Sequence, residues 1–460
     1  MKEKVHLIGI GGSGMLPLAM LAVKKGYTVS GTDRSLTPEK AKWLEKSNIK
    51  VFTVPSEDNL KGSSLVVYST AIAEDHPERK FAKKLSEQKK IRMCHRMDFL
   101  NELVKNDSLR IGLSGTHGKT STSSMMGFVL MELGFDPTII VGGKPLYLED
   151  GIRNGGGKIA VFETDESDGS FLKSNANLKV CLNVDNDHLE YYGNQESLAE
   201  AFKKFVLDSK LSVLNGDDPV LQSVSSENCI FFHENQPDSN QEFYYGAFQG
   251  ASDSMDVFRC SVQKEYLGTI SLKIPGRHFA LNALSIITLL DRSSLMGFFD
   301  PLQFSPQKAI SALNQFPGVE RRIERIGIRN SVSVYDDYGH HPSEVRAVLN
   351  ALRGRMKKGS QIHVVFQPHR YSRTEEHYRE FAESLQLADH VYLLPLYPAG
   401  EKPREGVSSG MIGNVMEKKY RLIEEESFSE IFKSVNPGDI LLFQGAGDIS
   451  YSIRKYLKEN

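Results

Sequence analysis

The run Leu113-Ser114-Gly115-Thr116-His117-Gly118-Lys119-Thr120 follows an apolar-leaning segment, Leu109-Arg110-Ile111-Gly112, and precedes a helix-like stretch over 121–133. A strand, a glycine turn ending in Gly-Lys-Thr and a helix together predict a phosphate-binding loop. Backbone N–H groups and the helix N-terminus face the phosphates, the lysine reaches the β/γ oxygens, and the threonine hydroxyl ligates Mg²⁺. The strict pattern asks for a glycine where the chain has Leu113. The looser form Gly115-x-x-Gly118-Lys119-Thr120 therefore has to be weighed with what surrounds it.

At 460 residues the chain is too long for one typical domain, and two or three are expected. Its formal net charge of -2 gives no electrostatic case for nucleic acid or an anionic membrane. Cys94, Cys181, Cys229 and Cys260 are scattered without metal-ligand spacing, which suits reduced thiols of a cytoplasmic protein. The charged start, Met1-Lys2-Glu3-Lys4, leads directly into a strand and does not read as a signal peptide. No apolar run approaches the ~18 residues of a membrane span, so no membrane insertion is expected.

Apolar patterning predicts a strand over 5–10, a glycine turn over 11–14, a helix over 15–25 and a second strand over 27–31 leading to Asp33, the opening of a doubly wound α/β domain. A further strand at 64–68 precedes the turn Ser69-Thr70-Ala71, and the polar run 105–108 reads as a linker. Beyond the phosphate loop, strands are expected at 159–162 and 180–184, helices at 197–206 and 280–290, and a polar, irregular stretch over 223–254 with strand-like pieces such as 242–245. Phe316-Pro317-Gly318 marks another boundary, after which strands at 331–335, 361–366, 390–394 and 439–443 alternate with helices. The expected architecture is α/β in three domains: 1–106, a Rossmann-like domain; 107–317, a central P-loop ATPase-type domain; and 318–460, a second Rossmann-like domain.

Gly9-Ile10-Gly11-Gly12-Ser13-Gly14 fits G-x-G-x-x-G, and Asp33 stands where a ribose-binding acid is expected. A nicotinamide or flavin site fits this motif, and so does a uridine diphosphate sugar, which presents the same diphosphate and ribose. Glu163, at the end of a strand in the phosphate-loop domain, could complete a Mg²⁺ shell begun by Thr120, and His188 could hold a second ion. The acidic loop Asp165-Glu166-Ser167-Asp168-Gly169-Ser170-Phe171 follows. In the third domain, Arg370 and Arg373 beside His369 suit a carboxylate or phosphate clamp, because guanidinium groups pair bidentately with such oxygens. His340-His341 suggests zinc, but no further ligands stand at usable spacing.

Taken in order, these segments resemble the Mur ligase family, ATP-dependent enzymes that join amino acids to the nucleotide precursor of bacterial peptidoglycan, and most closely its alanine-adding branch. The resemblance spans essentially the whole chain. It runs through 9–15, 115–120, 166–171, 187–192, Gly276-Arg277-His278 with Asn282-Ala283, 319–322, 336–342, 367–374 and 445–449. It implies that Gly11, Gly12, Ser13, Gly14, Met15 and Asp33, with Ser69, Thr70, His95 and Arg96, hold the UDP-sugar. Gly115, Thr116, His117, Gly118, Lys119, Thr120 and Ser121 would hold ATP phosphates, Ser121 keeping a hydroxyl where relatives often carry threonine. His278 and Asn282 would contact adenine, Arg322 a phosphate and Asp337 the ribose. Thr120, Glu163 and His188 would hold two Mg²⁺ ions, with Mn²⁺ as a substitute. Lys119, Glu163 and His188 would be the catalytic set, and Tyr338, His369, Arg370 and Arg373 the L-alanine pocket.

The reaction so implied joins L-alanine to the lactyl carboxylate of UDP-N-acetylmuramate through an acyl phosphate, by a cytoplasmic monomer or homodimer. Three alternatives compete: a murein-peptide recycling ligase on the same sugar nucleotide, a nicotinamide-dependent oxidoreductase, and a non-catalytic nucleotide-binding regulator. The oxidoreductase leaves the Gly-Lys-Thr loop, the acidic loop and the third domain unused.

Overall fold

Gly9 ends the first strand. Its φ of +74° turns the chain out of the sheet, and its N–H, like that of Ile10, donates to Thr32 O (2.7 and 3.2 Å). The strand is therefore Lys4–Ile8 rather than 5–10. A computed structural model describes residues 3–185, 189–224, 226–300 and 302–459 of the chain; the expected metal ligand His188 lies outside them. Among the described residues no helix is long and apolar enough to cross a membrane.

The chain forms two compact units, one of Met1–Ala247, Asp256–Ile270 and Leu281–Phe316, the other of Phe248–Met255, Ser271–Ala280 and Pro317–Asn460. The first contains two sheets. Its N-terminal sheet has the order Lys50–Phe52, Thr28–Thr32, Lys4–Ile8, Leu65–Tyr68, Arg92–His95, with every pairing parallel. In such a sheet the order reverses on either side of the first strand, and a crevice opens beyond the carboxyl ends of Lys4–Ile8 and Leu65–Tyr68. The glycine turn 9–14 and the turn at Ser69-Thr70 leave those two ends.

In the larger sheet of this unit, Leu109–Ser114 lies between Leu178–Cys181 and Ile159–Glu163, parallel to both. Ten strands make this sheet, including Cys229–His233, Phe243–Phe248, Met255–Cys260 and Lys264–Ile270. The strand-like piece expected at 242–245 is the strand Phe243–Phe248, while Cys229–His233, Met255–Cys260 and Lys264–Ile270 are not anticipated from the sequence. Cys229–His233 alternates buried with half-exposed positions and Met255–Cys260 does so in its first half, so their apolar signal is diluted. The helix Lys119–Glu132 sinks into the unit, with Ser121, Thr122, Ser123 and Ser124 all buried. Small side chains permit that close approach. The hydroxyls of Thr122 and Ser124 donate back to Gly118 O and Thr120 O (2.8 and 2.6 Å), so the two polar groups are satisfied inside the helix itself.

The second unit carries a six-stranded sheet ordered Glu324–Arg329, Val332–Asp337, Ile440–Gln444, Ile362–Phe366, His390–Leu393, Tyr420–Leu422. Only its first pairing is antiparallel. Segments 248–255 and 271–280, which the sequence groups with the central domain, pack here. Arg355 donates to Leu272 O, Lys273 O and Ile274 O (2.9, 2.8 and 3.1 Å) and pairs with Asp253 Oδ2 at 3.1 Å.

Beneath the N-terminal sheet, His6 and Glu78 are both fully buried. Glu78 Oε1 accepts from Thr32 Oγ1, Asn59 Nδ2 and Ser56 N at 2.7, 2.7 and 3.2 Å. Burial works to raise its pKa, but hydrogen bonds to His6, Thr32 and Asn59 outweigh it and hold the carboxyl at about 2. A carboxyl depressed in the folded chain contributes stability above its unfolded pKa and loses it as pH falls through the folded one. Glu78→Gln should therefore lower the stability of this unit at pH 7 by about 2 kcal/mol. Denaturant unfolding as a function of pH should show the deficit intact above pH 5 and closing between about 4.5 and 2.

Candidate active site

Two glycine loops of the first unit converge on one pocket, lined by Ser13, Gly14, Arg96, Lys119, Glu163 and Asp165 among others. Beside the first glycine turn, Asp33 Oδ2 accepts from Gly11 N (2.8 Å) and Asp33 Oδ1 from Ser35 N (2.9 Å), so the acid fixes the turn. Ser13 and Gly14 are exposed at the turn's tip. Met15 is not. Its side chain is 2% exposed within the apolar core, because the helix that starts after Gly14 turns this position inward, and a side-chain contact to the UDP-sugar does not follow.

His95 also differs from expectation. It is buried and caps the helix Arg96–Leu103, its Nδ1 accepting from Met97 N (3.2 Å) while Nε2 meets Thr70 Oγ1 (3.1 Å). Burial, with the charge of Arg96, pushes this imidazole down to about 4. It is a neutral brace between the Thr70 loop and the start of the helix Arg96–Leu103. Arg96 is the side chain that enters the pocket. Its guanidinium donates to Ser170 Oγ (2.8 Å) and faces Asp165 and Asp168 at 3.4 and 3.6 Å.

The phosphate loop is held from behind by the turn at 183–185. Asn183 Oδ1 accepts from His117 N (2.8 Å), Asn183 Nδ2 donates to His117 O (3.1 Å), and Thr116 N donates to Asn183 O (3.1 Å). Asp185 N donates to Thr116 Oγ1 (2.9 Å), and its carboxylate meets His117 Nε2 (3.1 Å). The loop thus has its shape imposed by side chains of the next strand end. Gly118 has φ +86°, and a Cβ there would lie 2.7 Å from Asn282 Nδ2, which places Asn282 directly over the loop.

Lys119 Nζ donates to Gly115 O (2.7 Å) and to both oxygens of Glu166 (3.0 and 2.9 Å). Glu166 is 1% exposed. Burial works against the lysine's charge, but Glu166 and Asp165 outweigh it and hold the ammonium above its ordinary value. The pair is ionic. Sequence reading placed the acidic loop here without singling out Glu166, since nothing local distinguishes it from Asp165 or Asp168. Glu163 lines the same pocket and accepts from Gly142 N at 2.7 Å. The carboxylate of Glu163 and the hydroxyl of Thr120 are hard oxygen donors of the kind Mg²⁺ takes.

In the second unit, His278 lies four residues before Asn282 on the helix Arg277–Leu295, and burial, with Arg322, pushes it down to about 4. Asp337, expected at a ribose, is 3% exposed. Its Oδ1 accepts from Gly339 N and Gln444 Nε2 (2.7 and 2.9 Å) and its Oδ2 from Ile323 N (2.9 Å). It ties two backbone N–H groups and the Gln444 side-chain amide together, and a ribose contact does not follow from that placement. The Tyr338 ring lies under two guanidiniums, Arg321 at 4.8 Å and Arg322 at 5.1 Å. His369 stacks on Tyr397 (5.6 Å, 9°) and lies 5.8 Å from His340. Burial pushes both histidines down to about 4, which leaves them neutral. Arg370 is exposed at the start of the helix Tyr371–Leu385, and Arg373 follows within its first turn.

Three family profiles match in chain order: "Mur ligase family, catalytic domain" over 4–108, "Mur ligase middle domain" over 113–290, and "Mur ligase, glutamate ligase domain" over 321–447. A UDP-N-acetylmuramate–L-alanine ligase of Pelotomaculum thermopropionicum is 37% identical, covering 100% of this chain and 98% of its own. The chain belongs to the Mur ligase family. Among solved Mur ligase structures, the UDP-N-acetylmuramate–alanine ligase of Thermotoga maritima matches with a TM-score of 0.82 at 29% identity, over 99% of this chain and 98% of that one. A murein peptide ligase from Psychrobacter arcticus matches with a TM-score of 0.67 at 19% identity, over 99% and 98%, and shares the fold.

Gly118→Ala tests the site's geometry in this Mur ligase. The substitution forces a left-handed conformation on alanine and drives a methyl group into Asn282. Since strain of this kind costs about 1–2 kcal/mol, the Kd for ADP should rise about 5- to 30-fold by calorimetry. Far-UV circular dichroism should be unchanged.

Proposed function

We propose that this chain is an ATP-dependent ligase that joins L-alanine to the lactyl carboxylate of UDP-N-acetylmuramate in peptidoglycan biosynthesis, giving UDP-N-acetylmuramoyl-L-alanine, ADP and phosphate. One observation carries the reading. The turn suited to a sugar nucleotide and the loop suited to ATP open on the same pocket, with Gly14 and Arg96 on one side and Lys119 and Glu163 on the other. An enzyme that phosphorylates a carboxylate on a sugar nucleotide needs that convergence. Full-length relatedness to proteins named for the alanine reaction supports alanine over a peptide as the incoming amine.

The chain's residues take the following parts. Gly11, Gly12, Ser13 and Gly14 present backbone N–H groups to the diphosphate of the sugar nucleotide, and Asp33 fixes their turn. Ser69 and Thr70 line the facing loop. Arg96 directs the lactyl carboxylate toward Lys119. Gly115 to Ser121 wrap the ATP phosphates, with Asn282 and His278 toward the base and Arg322 toward a phosphate. Thr120 and Glu163, with His188 from outside the described residues, would hold Mg²⁺, which when bound neutralises charge on the transferring group.

Phosphoryl transfer depends on such neutralisation and on in-line placement more than on covalent help from the protein. The carboxylate oxygen takes the γ-phosphoryl group, giving an acyl phosphate and ADP. The neutral amine of L-alanine attacks the acyl carbon, and the tetrahedral intermediate collapses to amide and phosphate. Arg370 and Arg373 would pair with the carboxylate of L-alanine, beside the neutral His369 and Tyr338.

ADP release measured with UDP-N-acetylmuramate should require L-alanine. Formation of ADP that ignores alanine, or none at all, contradicts the assignment, and oxidation of NADH would favour the oxidoreductase. Lys119→Ala should cut turnover by at least about 100-fold. Calorimetric affinity for the sugar nucleotide should stay within about twofold of the parent, since Lys119 lies across the pocket from its diphosphate turn.

A further inference from the structure

An ammonium has three hydrogens to give. Those of Lys119 go to Gly115 O at 2.7 Å and to the two oxygens of Glu166 at 3.0 and 2.9 Å, with Thr116 O a more distant acceptor at 3.5 Å. A phosphate oxygen can therefore reach Nζ only by taking the place of an acceptor that belongs to the chain. Gly115 O is part of the loop backbone, and that loop is fastened by Asn183 at the neighbouring Thr116 and His117. Glu166 holds on with a side chain, and with two contacts where one would keep the lysine in place.

The carboxylate is also built to stay where it is. Its own backbone oxygen accepts from Gly169 N (3.0 Å) and from the Tyr192 hydroxyl. Asp165 Oδ1 accepts from Ser167 N (3.1 Å), Asp168 Oδ1 accepts from Ser170 N (3.0 Å), and Gly169 closes the turn at φ +67°. A rigid turn that aims a buried carboxylate at the one lysine of the phosphate loop is more than packing requires.

We propose that Glu166 is a positioning residue of the nucleotide site that competes with phosphate for Lys119. Binding of the nucleotide converts its two contacts into one, which leaves the lysine oriented and one of its hydrogens free for a phosphate oxygen. The competition sets nucleotide affinity below what the loop could otherwise reach. The inference rests on the reading of this loop as the ATP site.

Calorimetric titration of the full-length chain with ADP tests it. Glu166→Gln keeps the side chain's size and one acceptor, and should bind ADP at least about fivefold more tightly than the parent, the worth of one charge-assisted contact. Removing any anion near a polyphosphate would tighten binding by Coulomb attraction alone, so Glu166→Asp is the second variant. It retains the charge and withdraws the carboxylate by one methylene, and should also bind more tightly, by about twofold or more. Should Glu166→Gln fail to fold, Glu166→Asp carries the test by itself. Parent-like or weaker affinity in Glu166→Asp, with its thermal midpoint intact, overturns the competition. A parent that does not bind ADP overturns the nucleotide-site reading and the inference with it.

Discussion

The ion pair between Lys119 and Glu166 is the contact around which the rest of the first unit is arranged. Taking both charges out of water is costly, and the cost is offset only because each group is fully engaged and its neighbours are fixed. Lys119 sits at the start of a helix whose first turns are buried, so its backbone cannot drift. Glu166 sits in a turn closed by its own hydrogen bonds and braced by Arg96 through Asp165, Asp168 and Ser170. Asn183 and Asp185 hold the loop from the opposite side. Removing any one of these supports would leave a buried charge poorly paired, which explains why so many polar side chains crowd this short stretch.

The same acidic turn touches both the N-terminal sheet's crevice and the phosphate loop. Asp165, Asp168 and Ser170 meet Arg96, which follows the last strand of the N-terminal sheet, while Glu166 meets the phosphate loop. Neighbouring residues of one turn thus register the position of the N-terminal crevice against that of the phosphate loop. A carboxylate and a γ-phosphate must approach within bonding reach for transfer, and misplacement by a single ångström is expensive in rate. Covalent proximity along 165–170 is a direct way to keep such a distance constant.

Much of this was legible in the sequence, because glycine-dependent turns leave a local signature. The glycine turn at 9–14, the Gly-Lys-Thr loop and the strands that carry them could be read from apolar runs and backbone chemistry alone. Roles that depend on which way a side chain points could not. Met15 belongs to a motif yet faces the core, His95 caps a helix, and Asp337 ties backbone together. Each was grouped with ligand contacts because motif membership carries no information about orientation. Glu166 and Asn183 went unnoticed for the opposite reason: their partners lie 47 and 66 residues away in the chain. Of the strands after 228, Phe243–Phe248 left a readable apolar run, while the half-buried Cys229–His233 and Met255–Cys260 did not.

Segments 248–255 and 271–280 leave the first unit and complete the second before the chain returns. Arg355 depends on the later of these for three carbonyl acceptors and on the earlier for its carboxylate partner. A gene fragment beginning at residue 317 would encode every strand of the six-stranded sheet and still lack those acceptors. The second unit is thus not a cassette that could be exchanged between relatives at a single junction. Any ancestral shuffling of amino-acid specificity would have had to move both excursions together with the C-terminal portion, or accept an unpaired arginine at the seam. Interleaving of this kind favours descent as one piece, in keeping with the end-to-end relatedness of the family.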